Sequence, residues 1–174
     1  RADMDALDIH EETGLEYCAT HDGKMHGCGH DGHSAMLMTA AQYLSRHTDE
    51  FDGTVHFVFQ PAEEGAGGAR VMVEEGFFDK YPCKAIYGLH NWPAIEKGKM
   101  AICAGPMTAA SDRVEMTLKG KGGHAAMPHQ NIDVITAAST LVNSIQTLIS
   151  RVMDPMQGAV ISITKFQSRG SESL

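Results

Sequence analysis

Three short stretches of this chain hold side chains that could bind a metal ion or move a proton. They are Cys28-Gly29-His30, the adjacent pair Glu63-Glu64, and His90 at the end of Gly88-Leu89-His90. A thiolate and an imidazole two positions apart cannot share one helix face, but a tight loop can turn both towards one ion. Gly27, Gly29 and Gly32 give that loop its backbone freedom. On its own, a Cys-x-His pair fits an incidental loop as well as a metal site. Neighbouring carboxylates repel unless a cation or a shared proton relieves them. The plain alternative for Glu63-Glu64 is a solvated acidic turn. Histidine is abundant, ten in 174 residues, with His21, His26, His30 and His33 close together.

The elements that must position these groups can be read from apolar patterning. Ala2 to Leu7 reads as the end of a strand, and Gly27 to Gly32 as a glycine-rich turn. Ala35 through Leu44 has helical spacing, with Ser34 a candidate N-cap and an earlier start also compatible. Thr54 to Gln60 is a mostly apolar strand stopped by Pro61, and Ala69 to Val73 is a short helix ending near Gly76. Ala85–His90 and Met100–Cys103 are further strand candidates. Strand and helix in alternation predict an α/β fold, a mainly parallel sheet covered by helices on both faces. Asp3, Asp5, Glu63, Glu64 and His90 then all lie at or just past the C-terminal ends of strands. Cys28 and His30 precede a helix that faces the same edge. Open parallel sheets hold their ligands in the crevice at those ends. One shared location favours a metal site, and a Cys, His and carboxylate donor set suits zinc, manganese, cobalt or nickel.

The pattern changes near residue 108. Val114, Met116 and Leu118 alternate with polar residues, as in a half-solvated antiparallel strand, and Gly120 to Gly123 reads as a flexible loop. Val134 to Val152 carries the apolar stripe of one long helix, with Asp133 at its start and Asp154-Pro155 closing it. Ala159 to Ile163 is another strand candidate. The expectation is a catalytic part over 1–107 and a smaller α+β part over 108–174, with the helix stripe packed on its own sheet.

Composition excludes several function classes. The chain is 43% hydrophobic, with 14 basic against 22 acidic side chains and a formal charge of −8. An acidic balance without a Lys/Arg run argues against nucleic acid and against an anionic membrane surface. No apolar stretch reaches the ~18 residues of a transmembrane helix. Four irregularly spaced cysteines do not read as a secreted disulfide framework, so a cytoplasmic location is expected. The chain starts Arg1-Ala2-Asp3-Met4-Asp5 without an initiator Met, which suggests a piece of a longer protein.

Met25 to His33 (MHGCGHDGH), Gln60 to Gly65 (QPAEEG) and Gly88-Leu89-His90 resemble, in order and spacing, metal-dependent amidohydrolases of the aminoacylase and hippurate hydrolase type. These include bacterial N-acyl-amino-acid amidohydrolases and plant auxin-conjugate hydrolases. Arg1 to Leu7 (RADMDAL) and Gly120 to Pro128 (GKGGHAAMP) match as well. The resemblance spans residue 1 to about 165 and is zinc-exopeptidase-like. It implies a phosphorylase/hydrolase-like catalytic domain with an inserted lid, through which the full-length protein forms a homodimer.

It further implies a site of two divalent metal ions with Cys28, His30, Glu64 and His90 as ligands. Glu63 becomes the general base that takes a proton from water and passes it to the leaving amine. Asp5 is expected to orient a ligand histidine, and His124 of the lid to stabilise a developing oxyanion. Related zinc exopeptidases carry a His where Asp3 stands, which makes Asp3 a poor candidate ligand and Cys28 the alternative donor. His26 and His33 are left open between support of the metal loop and solvation. His10, His21, His47, His56 and His129 are assigned to surface or packing.

The expected substrate is a small N-acyl amino acid. A dipeptidase of the same chemistry and a non-catalytic metal-binding remnant are the alternatives. Relatives carry a last ligand histidine near their C-terminus that has no counterpart here, and Gln167 to Leu174 departs from their pattern. The 174 residues alone are therefore expected to be inactive or poorly folded.

Overall fold

Ala2–Asp3 (β1) and Phe59–Gln60 (β2) pair in parallel, Ala2 opposite Phe59 and Asp3 opposite Gln60. In this computed structural model, which describes residues 1–169, the ladder extends by Ala2 N–H to Val58 O at 2.9 Å and Met4 N–H to Gln60 O at 3.1 Å. On the other side of β1 the Arg1 nitrogen donates to Tyr87 O at 2.7 Å. Segments 54–60 and 85–90 therefore flank the start of the chain, and their C-terminal ends meet beside Asp3 and Asp5. The chain forms two compact units, Arg1–Ala101 and Ile102–Leu174.

The parallel pairing and the helix on it agree with the α/β expectation, but the strands are much shorter than predicted. Ala2–Leu7 is regular only over β1, with Leu7 in an isolated antiparallel bridge to Met25. Thr54–Gln60 is regular only over β2, and Ala85–His90 and Met100–Cys103 are not strands. Apolar patterning reports which residues prefer extended backbone. A regular strand also needs a neighbour for every second N–H and C=O, and these segments have few such neighbours.

The first long helix, α1, spans His30–Arg46 with Gly29 as N-cap at φ 79°. It begins before the predicted Ser34 cap and takes in the end of the predicted turn, so His30 is helical. Glycine suits this cap because a Cβ is strained in left-handed backbone. The Ser34 hydroxyl instead donates to Asp3 O at 3.2 Å, pinning α1 to β1. Asp31 in the first turn and Arg46 in the last suit the helix dipole. Gly68–Glu74 (α2) and Phe77–Lys80 (α3) follow β2. A Cβ at Gly68 would collide with the Pro61 carbonyl. The Gly68 N–H donates to Ala62 O at 2.9 Å, and together these keep the turn holding Glu63 and Glu64 closed.

The buried centre of the first unit is polar. Ala2 is the apolar side chain fully buried among the described residues, alongside Asp3, His30, His33 and Gln60. Such groups persist in a protein interior only when partnered.

The second unit carries α4, Val134–Thr147, which continues into a single wide π turn, Leu148–Val152. Asp133 caps it, its side chain accepting from Ile135 N at 2.8 Å and Thr136 N at 3.1 Å. Lys121 and Ile132 form an isolated antiparallel bridge. The strands predicted at Val114–Leu118 and Ala159–Ile163 are absent among the described residues. The stripe of α4 consequently has no sheet to pack on, and none of its residues is buried. The sheet and the core expected under α4 are thus not seen among the described residues. The last part of the divergent segment, 170–174, lies outside the described residues. Among those residues, no helix is long and apolar enough to cross a membrane.

Candidate metal centre

His30 opens α1 beneath the C-terminal ends of β1 and β2, and its side chain is 1% exposed. Its Nδ1 faces Asp5 Oδ1 at 3.2 Å. The carboxylate can only accept, so the proton sits on Nδ1 and the lone pair on Nε2. That Nε2 is buried without a hydrogen-bond partner. Three carboxylate oxygens surround it beyond hydrogen-bond reach: Glu64 Oε1 at 3.7 Å, Asp3 Oδ1 at 3.8 Å and Glu63 Oε2 at 3.9 Å.

Asp5 fixes both turns. Its Oδ2 accepts from Glu64 N–H at 2.9 Å while Oδ1 holds His30. Burial alone would push the Asp5 carboxyl up, but the backbone N–H groups of Glu64 and Glu63, its own backbone N–H and His30 outweigh that and hold it low. The glutamate turn is bent by Ala62, a non-glycine residue at φ 54°. Left-handed alanine costs about 1–2 kcal/mol, and here the cost accompanies a turn that sets two carboxylates side by side. Glu63 is 42% exposed and Glu64 29%, so Glu63 is the more open of the two.

His90 approaches from the end of segment 85–90. Its Nδ1 donates to Asn91 O at 2.6 Å, which leaves Nε2 as the lone-pair nitrogen, 3.5 Å from Cys28 Sγ. Burial first, and then the hydrogen bond and charge of Glu64, raise the Cys28 thiol above its ordinary value. An adjacent cation would reverse that balance. The ligand atoms of Cys28, His30 and His90 lie within 4.8 Å of one another, as do those of His30, Glu63 and Glu64. Two atoms each about 2.0–2.3 Å from one ion stand no more than about 4.6 Å apart, so both sets need little adjustment. An orphaned imidazole nitrogen, a second imidazole nitrogen that faces a thiol, and two carboxylates fit a divalent metal ion.

Asp3 and His33 lie beside these sets but are already paired. Asp3 Oδ1 accepts from His33 Nδ1 at 2.5 Å, and Oδ2 meets the Arg1 guanidinium at 2.9 Å. Arg1 is held in turn by Gln60 Oε1 at 2.8 Å. Desolvation opposes ionisation of Asp3, but the hydrogen bond from His33 and the charge of Arg1 hold its carboxyl low. His33 Nε2 accepts the Asn91 N–H at 2.8 Å, so both of its nitrogens are used. His33 is buried with both nitrogens bonded, and His26 is exposed.

His124 belongs to the second unit, where its Nδ1 accepts from Ala126 N–H at 3.1 Å and its Nε2 therefore carries the proton. The sequence did not mark Asn91, whose side chain reaches Gly29 O at 3.0 Å. Cys18, Cys28, Cys83 and Cys103 are all free thiols.

The chain belongs to peptidase family M20/M25/M40, which it matches over residues 1–169. It is 46% identical over 167 residues to an N-acyl-L-amino acid amidohydrolase of Geobacillus stearothermophilus, covering 95% of this chain and 45% of that one. It is 43% identical over 168 residues to a hippurate hydrolase of Campylobacter jejuni, covering 97% and 43%. A Bacillus subtilis structure described as a dinuclear metal-binding peptidase of the M20 family superposes with a TM-score of 0.51. It shares 48% identity over 54% of this chain and 26% of that one. The chain thus spans less than half the length of the curated relatives it matches.

Proposed function

We propose that the protein hydrolyses the amide bond of small N-acyl amino acids at a two-metal centre held by Cys28, His30, Glu64 and His90. The observation that carries this reading is the partnerless, fully buried Nε2 of His30, ringed by carboxylates. A buried imidazole nitrogen among carboxylates costs free energy unless something binds it. The names of the relatives supply the substrate class.

Divalent ions bound here would acidify a water and polarise the amide carbonyl. Asp5 keeps the His30 proton on Nδ1 and so keeps Nε2 available. Asn91 O does the same for His90. Glu63, the more exposed carboxylate of the pair, takes the proton from water and returns it to the leaving nitrogen. His124, whose Nδ1 accepts the Ala126 N–H, has Nε2–H left as a donor of the kind a developing oxyanion needs. The first part of the chain, 1–107, is then catalytic, and 108–174 belongs to a lid through which the full-length protein pairs. Four free thiols suit a reducing, cytoplasmic setting.

The test is Glu63→Gln in the full-length protein, assayed on benzoyl- and acetyl-amino acids beside dipeptides. Turnover should fall by roughly 10²–10⁴-fold with metal content retained. Unchanged turnover would remove Glu63 as the base. Preference for dipeptides would move the substrate to the peptidase reading that the family name allows.

A further inference from the structure

We infer that Asn91 is a positioning residue that locks the Cys28–His30 turn to the His90 segment, with His33 as its strut. The inference rests on Cys28, His30 and His90 being metal ligands and adds what holds them in register. Asn91 makes three hydrogen bonds to three separate places. Its N–H donates to His33 Nε2 at 2.8 Å, its side-chain Nδ2 donates to Gly29 O at 3.0 Å, and its carbonyl accepts from His90 Nδ1 at 2.6 Å. His33 is itself fixed by Asp3 through Nδ1, which leaves its Nε2 able only to accept.

The glycines around the turn fit the same account. A Cβ at Gly29 would lie 2.9 Å from Asn91 Nδ2, and one at Gly32 would lie 2.5 Å away. Gly32 sits inside α1 without a positive φ. Helix propensity there favours alanine, so the approach of the Asn91 side chain explains the glycine. Two metal-binding turns 62 positions apart in sequence are thereby joined by one amide. Without it, nothing else described bonds the Gly29 carbonyl to the His90 segment.

The experiment titrates Co²⁺ into metal-free, full-length protein and follows both affinity and the thiolate-to-cobalt absorption band that reports Cys28. Asn91→Ala should weaken Co²⁺ binding about tenfold or more and diminish the thiolate band, with the far-UV circular dichroism preserved. Asn91→Asp keeps the side-chain volume but cannot donate to Gly29 O, and should do the same. Gly32→Ala should also weaken binding, and combined with Asn91→Ala it should add little, because both act on one contact. Unchanged affinity and band in both Asn91 variants, beside a wild type that shows the band, would overturn the lock alone. A wild type that binds Co²⁺ without a thiolate band would overturn the ligand assignment and the lock with it. Loss of fold in both Asn91 variants would also overturn it, since the residue would then serve general stability.

Discussion

At the scale of single residues, the centre is organised by which nitrogen of each histidine is already spoken for. His33 has both nitrogens bonded to fixed partners, His30 has Nε2 without a partner, and His90 Nε2 faces the Cys28 thiol. That pattern sorts structural histidines from candidate ligands more sharply than clustering in the sequence, where His26, His30 and His33 look alike. Asp5 is the residue on which two of these relations depend, since it orients His30 and anchors the Glu64 backbone. Replacing it by asparagine keeps an acceptor for Glu64 but removes the charge that favours the His30 Nδ1–H. Asp5→Asn is expected to weaken metal binding about 10–100-fold, measured by competition with a metallochromic chelator. Wild-type affinity in that variant would show that Asp5 does not tune His30.

At the scale of elements, caps and close approaches explain more than strand propensity does. Gly29 caps α1 in left-handed backbone, Gly68 lets α2 start against Pro61, and Asp133 caps α4 with its side chain. The Asp133 carboxyl is held below its ordinary value, first by the Thr136 hydroxyl and then by the N–H groups of Thr136 and Ile135. A carboxyl whose pKa is lowered in the folded state stabilises fully above its ordinary value, and that stabilisation fades as pH falls through the lower folded one. The helical content of wild type should therefore exceed that of Asp133→Ala by a constant margin above about pH 4. Below that pH the margin should shrink. Far-UV circular dichroism across the acid range checks this, and a margin that grew on acidification would contradict the capping role.

In the first unit as a whole, a polar centre replaces the usual apolar one among the described residues. Ala2 is the fully buried apolar side chain among the described residues, whereas Asp3, His30, His33 and Gln60 are buried around it. Large apolar side chains such as Trp92, Met100, Ile102 and Val152 stand more than half exposed. Bound cations would contribute directly to such a fold, because an ion that binds only the folded state stabilises it by mass action. At a free metal concentration a hundred times the dissociation constant, this amounts to about 2.7 kcal/mol. The melting temperature of the full-length protein should fall when metal is removed with a chelator and recover when Zn²⁺ or Mn²⁺ is restored. A melting temperature indifferent to chelation would separate this cluster from metal binding.

The sequence supplied the candidate donors and the expectation that they share one location. Cys28-Gly29-His30, Glu63-Glu64 and His90 are local patterns, and parallel α/β connectivity leads one to expect them along one edge of a sheet. It also showed α1 and α4, whose period of apolar residues is a local property. Tertiary structure alone decided the rest, because pairing depends on neighbours that are remote in sequence. No local signal says that Asp3 is taken by Arg1 and His33, that Ser34 bonds a strand carbonyl, or that Asn91 reaches Gly29. The same dependence explains the segments read as strands at 85–90 and 114–118. Their side chains favour extended backbone, but a ladder forms only where another strand lies alongside to receive its hydrogen bonds.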